Sequence, residues 1–341
     1  MHKKGKWLFV ILLCLILFFT AAVVRFYSRR TETPAEQEKI PYADTQTKES
    51  CSIFQDETTG LYGLANADGR VIAAAEWKKL YFIGDNGVAA VKQIGTELVT
   101  GVLDQEGNVI VPFVYQDLSY VNEQIIVGWL LHEDMYFLYD RSFHDLTPCA
   151  WNAYILKDSL LTLQRGTDTF IYRQKDDGIV LHSFDLQRTI QRRTVTMYCR
   201  QQTAAQLFPV EEWSLLGDTL SAFLKAYQRN DEEDASVFLS ADAKTQLQQL
   251  LPKNTAEKWW VDWQDSIEIT SQTDILGTTV YCAVTVERET ESAVLQVAFQ
   301  KNTAAETLQI TGLQIQQETQ KTEETTDITN SADIAGIVIN E

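Results

Sequence analysis

From about residue 51 to 200, short apolar runs alternate with polar residues and are punctuated by glycine, the pattern of strands joined by turns. Leu61-Tyr62-Gly63-Leu64 and Val99-Thr100-Gly101-Val102-Leu103 each predict a strand. Turns ending in Asp68-Gly69 and Glu106-Gly107 follow them, where glycine permits a positive φ. Second strands are predicted over 70–73 and 108–111. A bend carrying Trp77 or Tyr115 comes next, and then a third strand over 87–92 or 124–129. After Phe208-Pro209 the period changes. Leu216, Leu220, Phe223, Leu224 and Tyr227 stand three or four apart and predict an amphipathic helix over 215–229. Shorter helices are expected over 234–239, 242–251 and 257–263. Strands are expected over 266–273, 278–287, 293–301 and 307–316.

The first of these patterns occurs twice. At an offset of 38 residues Gly63 pairs with Gly101, Gly69 with Gly107, Val71 with Val109, Ile72 with Ile110, Trp77 with Tyr115 and Leu80 with Leu118. A fixed period of this size marks stacked units that cannot bury their faces alone. A more divergent third copy places Tyr139-Asp140, Pro148, Trp151 and Tyr154 at an offset of 36 and lacks the turn glycine. A fourth, around 172–181, keeps little beyond Asp177-Gly178.

These segments resemble the bacterial WG (KWG) repeat. Tyr62-Gly63 stands where that family has Trp-Gly, and Asp68-Gly69-Arg70-Val71-Ile72 fits its hairpin. Glu76-Trp77 takes the place of the following aromatic, and Gly87-Val88-Ala89-Ala90-Val91-Lys92 fits the closing strand. In the second copy Gly101-Val102-Leu103-Asp104, Gly107-Asn108-Val109-Ile110-Val111-Pro112 and Tyr115 fit as well. The eponymous Trp-Gly pair is intact in neither copy. The resemblance covers about 60–165 and implies β-hairpin units whose structural positions are Gly63, Gly69, Trp77, Gly101, Gly107, Pro112 and Tyr115. Beyond residue 205, helices followed by a curved meander resemble the nuclear-transport-factor-like or cystatin-like α+β cone, by element order alone.

Trp7 to Val24 is an apolar run of 18 residues interrupted only by Thr20, long enough to cross a bilayer as a helix. Lys3, Lys4 and Lys6 precede it, and Arg25, Arg29 and Arg30 follow. A cytoplasmic N-terminus and an outer body are expected. Signal-peptide cleavage near Thr20-Ala21-Ala22, or lipidation at Cys14, are the alternatives. Residues 31–50 hold five acids and two prolines and read as a disordered stalk.

Charge narrows the partners. The first 30 residues carry six basic and no acidic side chains. That leaves 23 basic against 47 acidic residues in the rest, a net charge of −24. Such a body repels nucleic acid. Cys51, Cys149, Cys199 and Cys282, without CxxC spacing, could form disulfides or remain buried thiols. His132-Glu133-Asp134 and His144-Asp145 lack a second ligand at metal spacing, and no hydrolase, phosphate-loop or dinucleotide motif occurs. Asp104 and Asp140 at matched positions read as turn residues. Trp259, Trp260 and Trp263 could line the mouth of a cone or pack a helix on its sheet.

The resulting expectation is a mainly β repeat array followed by a small α+β domain, with an N-terminal transmembrane helix. The segments are a cytoplasmic tail over 1–6, an anchor over 7–24, a stalk over 25–50, repeats over 51–204, a cone-like domain over 205–317 and a disordered tail over 318–341. The two folded parts are expected to fold independently. The expected role is a membrane-anchored, extracytoplasmic interaction module for a protein or cell-envelope partner, without catalytic residues, cofactor or metal. The alternative is a small-ligand sensor or enzyme using a pocket among Phe223, Trp259, Tyr281 and Phe299.

Overall fold

The computed structural model describes residues 47–317, apart from 49, 177, 252–256, 275–276, 290 and 303–306. The expected anchor over 7–24, most of the stalk and the tail from 318 lie outside the described residues. Among the described residues no helix is long and apolar enough to cross a membrane.

Three sheets follow one another along the chain, antiparallel except for one parallel pair in the third. The first holds β1 (Thr47–Lys48), β2 (Cys51–Gln55), β3 (Tyr62–Asn66) and β4 (Val71–Trp77) in that order. The second is a meander of β5 (Lys79–Ile83), β6 (Gly87–Ile94), β7 (Glu97–Leu103), β8 (Val109–Tyr120), β9 (Ile126–Leu130) and β10 (Tyr136–Tyr139). The third begins with β11 (Ala153–Lys157), β12 (Leu160–Arg165), β13 (Asp168–Lys175), β14 (Gly178–Ile190) and β15 (Arg193–Cys199).

The 38-residue period is carried into the hydrogen-bond register. Tyr62 pairs with Trp77, Leu64 with Ala73 and Ala65 with Val71. Thr100 pairs with Tyr115, Val102 with Val111 and Leu103 with Val109, all at the same offset. Both ladders bulge, because the second strand runs four residues while the first runs two. Pro112 lies in the bulge, where a missing N–H costs no ladder bond. The turns also match. Asn66 Oδ1 accepts from the amides of Asp68 and Arg70, and Asp104 Oδ1 from those of Glu106 and Asn108. Gly69 and Gly107 close these turns at φ 77° and 87°. Trp77 and Tyr115 are both buried.

The third copy keeps this geometry. Bridges Tyr136–Trp151 and Tyr139–Asp145 lie 36 residues beyond Thr100–Tyr115 and Leu103–Val109. Asp140 Oδ1 accepts from Ser142 and His144, and Phe143 takes the turn glycine's place at φ 66°. Trp151 is buried and donates to Thr147 Oγ1 at 2.8 Å. The segment around 172–181 differs in register: β13 and β14 stay paired as far as Lys175 and Gly178. The second hairpin of each unit pairs with the first hairpin of the next, β6 with β7, β9 with β10 and β12 with β13. Each unit therefore completes its neighbour's sheet.

Gly101 shows why the repeat needs a residue without a side chain. A Cβ there would lie 2.8 Å from the Val111 carbonyl and 2.9 Å from the Phe113 ring. Phe113 occupies that space and stacks on Trp77 of the preceding unit, ring centroids 5.2 Å apart and 15° from parallel. Gly101→Ala is expected to destabilise by about 1–3 kcal/mol through overpacking. It should also shift the near-ultraviolet signal of Trp77. Gly69→Ala, with open space around its Cβ position, is expected to cost about 1–2 kcal/mol from its left-handed backbone alone. Urea unfolding with near-ultraviolet circular dichroism separates the two cases.

Beyond β15 come α1 (Gln202–Ala205), α2 (Val210–Arg229), α3 (Glu232–Ser236) and α4 (Ala241–Leu250). The expected helix at 257–263 is absent; β16 (Trp260–Val261) pairs there with the following meander. Lys258, fully buried beside it, donates to the Tyr227 and Gln228 carbonyls at the end of α2. The meander is β17 (Ser266–Asp274), β18 (Gly277–Arg288), β19 (Glu291–Asn302) and β20 (Thr307–Gln317).

The division drawn at 204/205 falls inside one sheet and one core. β15 pairs in parallel with β17 through Thr196–Ser266, Met197–Ile267 and Tyr198–Glu268. A single buried cluster runs from Leu138 and Trp151 through Phe184, Trp213 and Phe223 to Phe299 and Leu313. A strand partner some 70 residues away leaves no mark in a local periodicity, which is why the change of pattern looked like a boundary.

Candidate functional site

The β9–β10 hairpin positions the candidate site. Leu130 N donates to Met135 O at 2.9 Å, which closes the turn and sets Trp129 opposite Tyr136. Cross-strand partners share a face, so the two rings stack, with centroids 6.3 Å apart and planes 23° from parallel. Tyr154, on β11 of the third unit, meets Tyr136 edge-on at 5.2 Å. Leu98 extends this surface on β7. Trp129 and Leu98 are exposed, at 36% and 53%. The four side chains line an open groove of about 1160 Å³.

Its carboxylates stand among the neutral amides of Gln116 and Asn152. Glu97, Glu133 and Asp134 face the groove, and no lysine or arginine is among its lining residues. His132 Nε2 lies 2.8 Å from Glu97 Oε2 and ties the hairpin turn to the start of β7. Burial, reinforced by the charge of Asp134, raises the Tyr136 hydroxyl above its ordinary pKa. Burial, followed by Tyr136 and Asp117, does the same at Tyr154. Flat aromatic faces beside carboxylates can hold a ligand by stacking, hydrogen bonding and charge.

The expected pocket among Phe223, Trp259, Tyr281 and Phe299 does not form. Phe223 and Phe299 are fully buried in the shared core. Tyr281 stands on the opposite face of β18 from the buried Cys282 and Val284, as strand alternation requires. Trp259 is nearly buried under the Arg288 guanidinium, 4.7 Å above its ring. Packing of α2 on the meander fills the space in which a cone would open.

The repeat positions Gly63, Gly69, Trp77, Gly101, Gly107, Pro112 and Tyr115 shape turns, bulges and core, and none lines the groove. Cys51, Cys149, Cys199 and Cys282 are free thiols. Among the described residues no cluster of histidine, cysteine and carboxylates could hold a metal ion. His144 Nδ1 lies 2.9 Å from Asp140 Oδ2 within its own turn.

Trp129 and Tyr136 were not singled out in the sequence, although one signal was available. Tyr136 occupies the third unit's version of the position held by Tyr62 and Thr100, where the resemblance places tryptophan. Its pairing with Trp129 depends on the length of the hairpin turn.

The family described as WG containing repeat matches residues 62–95 and 101–127, the two segments whose registers coincide. These segments are WG repeats. Glu97 and Leu98 precede the second matched segment and Trp129, Tyr136 and Tyr154 follow it, so most of the groove's lining lies outside the matched residues. No curated protein matches the chain. Among solved structures, Hsv2 of Kluyveromyces lactis is similar at 10% identity, with 79% of this chain and 95% of that chain covered and a TM-score of 0.22. A post-proline cleaving enzyme from Rickettsia typhi is similar at 9% identity, with 81% of this chain and 47% of that chain covered and a TM-score of 0.23. At these scores neither likeness bears on function.

Proposed function

We propose that this chain is a binding module: its WG-repeat body presents the Trp129–Tyr136–Tyr154 groove to a protein or cell-envelope partner. The apolar segment 7–24 holds the body at the outer face of a membrane. The observation that carries the binding reading is a run of three contacting rings across two repeat units, Trp129 exposed and Tyr136 and Tyr154 half-buried, bordered by carboxylates. Exposed aromatic surface of this kind costs solubility unless something uses it. Repeat arrays supply such surfaces by stacking. The anchoring part of the proposal rests on the sequence of the first 30 residues.

A photoreactive residue at Leu98 tests the binding reading in cells. Crosslinked partner is expected with the otherwise unchanged chain and is expected to fall several-fold in a chain also carrying Trp129→Ala. The melting temperature should change by no more than a few degrees, because the ring is exposed. Crosslinking that is indifferent to Trp129 would remove the groove from the function. For the topology, protease added to intact wall-stripped cells should digest the body, and full protection would place it inside.

A further inference from the structure

Resting on the binding-module reading, we infer that the groove takes an extended, lysine- or arginine-bearing segment of a partner chain. The first reason is charge. Glu97, Glu133 and Asp134 line the groove without a compensating lysine or arginine. The body beyond residue 30 carries −24, so its field draws cations toward any concave acidic surface. An anionic ligand would be repelled at long range and again at contact.

The second reason is the shape of the aromatic surface. Trp129 and Tyr136 offer near-parallel faces, and Tyr154 sets its edge against Tyr136. Guanidinium groups stack flat on such faces, and ammonium groups sit above them. The protein uses this interaction within its own fold. Lys92 Nζ lies 4.0 Å from the Phe113 ring centroid, and Lys258 Nζ lies 4.3 Å from that of Trp260. At the groove the rings are joined by carboxylates at the rim, so a cation bound there gains both contacts.

The third reason is extent. The groove reaches from Leu98 on β7 past the β9–β10 hairpin to Tyr154 on β11, so its ligand spans several residues rather than one side chain. The basic residues among the first 30, Lys3, Lys4, Lys6, Arg25, Arg29 and Arg30, flank the 7–24 span that the proposed function holds in the membrane, and the chain's other two flanking segments have the wrong charge to fill the groove. Residues 31–46 hold four acids and one lysine, and residues 318–341 hold six acids and one lysine. A partner chain is therefore the occupant.

The test titrates the full-length chain with three fluorescein-labelled octapeptides that alternate serine with arginine, glutamine or glutamate. The arginine peptide is expected to bind, to weaken roughly tenfold with Trp129→Ala, and to weaken similarly with Glu133→Gln combined with Asp134→Asn. Trp129→Phe, which keeps a ring, should retain most of the affinity, and a thermal melt of each variant verifies folding. Equal, Trp129-dependent binding of the glutamine peptide would overturn the cationic specificity and leave the binding-module reading intact. Arginine-peptide binding that ignores Trp129→Ala would reduce the effect to general attraction by an acidic body and overturn the inference. Failure of all three peptides would overturn it too, and the crosslinking at Leu98 then decides the module reading separately.

Discussion

Truncating Trp213 to alanine is expected to cost about 3–5 kcal/mol and to lower one unfolding transition shared by the repeats and the helical part. Trp213 lies on α2 and is fully buried. Its ring is 4.7 Å from that of Phe184 on β14 and 5.2 Å from that of Phe208. Its Nε1 donates to the Ala205 carbonyl at 2.9 Å, which fixes α1 against α2. Alanine would remove the ring, leave that carbonyl without its donor and open a cavity where the two parts meet. Urea unfolding followed by far-ultraviolet circular dichroism and by tryptophan fluorescence should give coincident transitions in both proteins. A variant in which the helices melt first while the repeats hold would restore the idea of two separate folding units. By the same reasoning a fragment beginning at Gln206 loses β15 and Phe184 and is expected to stay unfolded.

The second large effect is expected at Asp168. This carboxylate on β13 is buried. It accepts from Arg188 Nη1 at 2.5 Å, from Arg188 Nη2 at 3.2 Å and from Ser214 Oγ at 2.7 Å. Arg188, on β14, also donates through Nε to Asp218 at 2.6 Å and through Nη2 to the Ser214 carbonyl at 2.8 Å. One bidentate pair thus ties two strands of the sheet to α2. Asp168→Ala would leave a guanidinium, only 11% exposed, without its main counter-charge. Breaking such a buried pair from one side is expected to cost about 3–5 kcal/mol. Adding Arg188→Met should recover part of that loss, since the stranded charge goes with it. Thermal unfolding of the four proteins in that cycle checks this. Additive losses would mean that the pair acts through packing alone.

Both effects arise at the junction that the change in sequence pattern marks as a boundary. The pattern there is genuine: strand alternation gives way to helical spacing, and α2 and the four strands of the final meander form close to where the spacing places them. The pattern describes each segment's local preference. It carries no information about the partner of β15, or about the aromatic cluster that closes over Trp213.

Within the repeats the sequence by itself determined a great deal. The matched glycines, aromatics and turn residues fix hairpin register, because a left-handed turn and a bulge each admit few residue types. The same positions therefore recur at 38 residues in both sequence and ladder. Even the third unit is legible through Asp140 and Trp151 despite its lost glycine, since the Asp140 side chain still organises the turn. The tertiary structure alone decided which surfaces these units leave open. Trp129, Tyr136 and Tyr154 belong to three strands of two units, and their contact depends on how the units stack. The filled space around Phe223 and Phe299 is a tertiary matter for the same reason. Periodicity tells a residue which side of its own strand or helix it occupies, and only the packing of those elements determines whether that side meets core, partner or water.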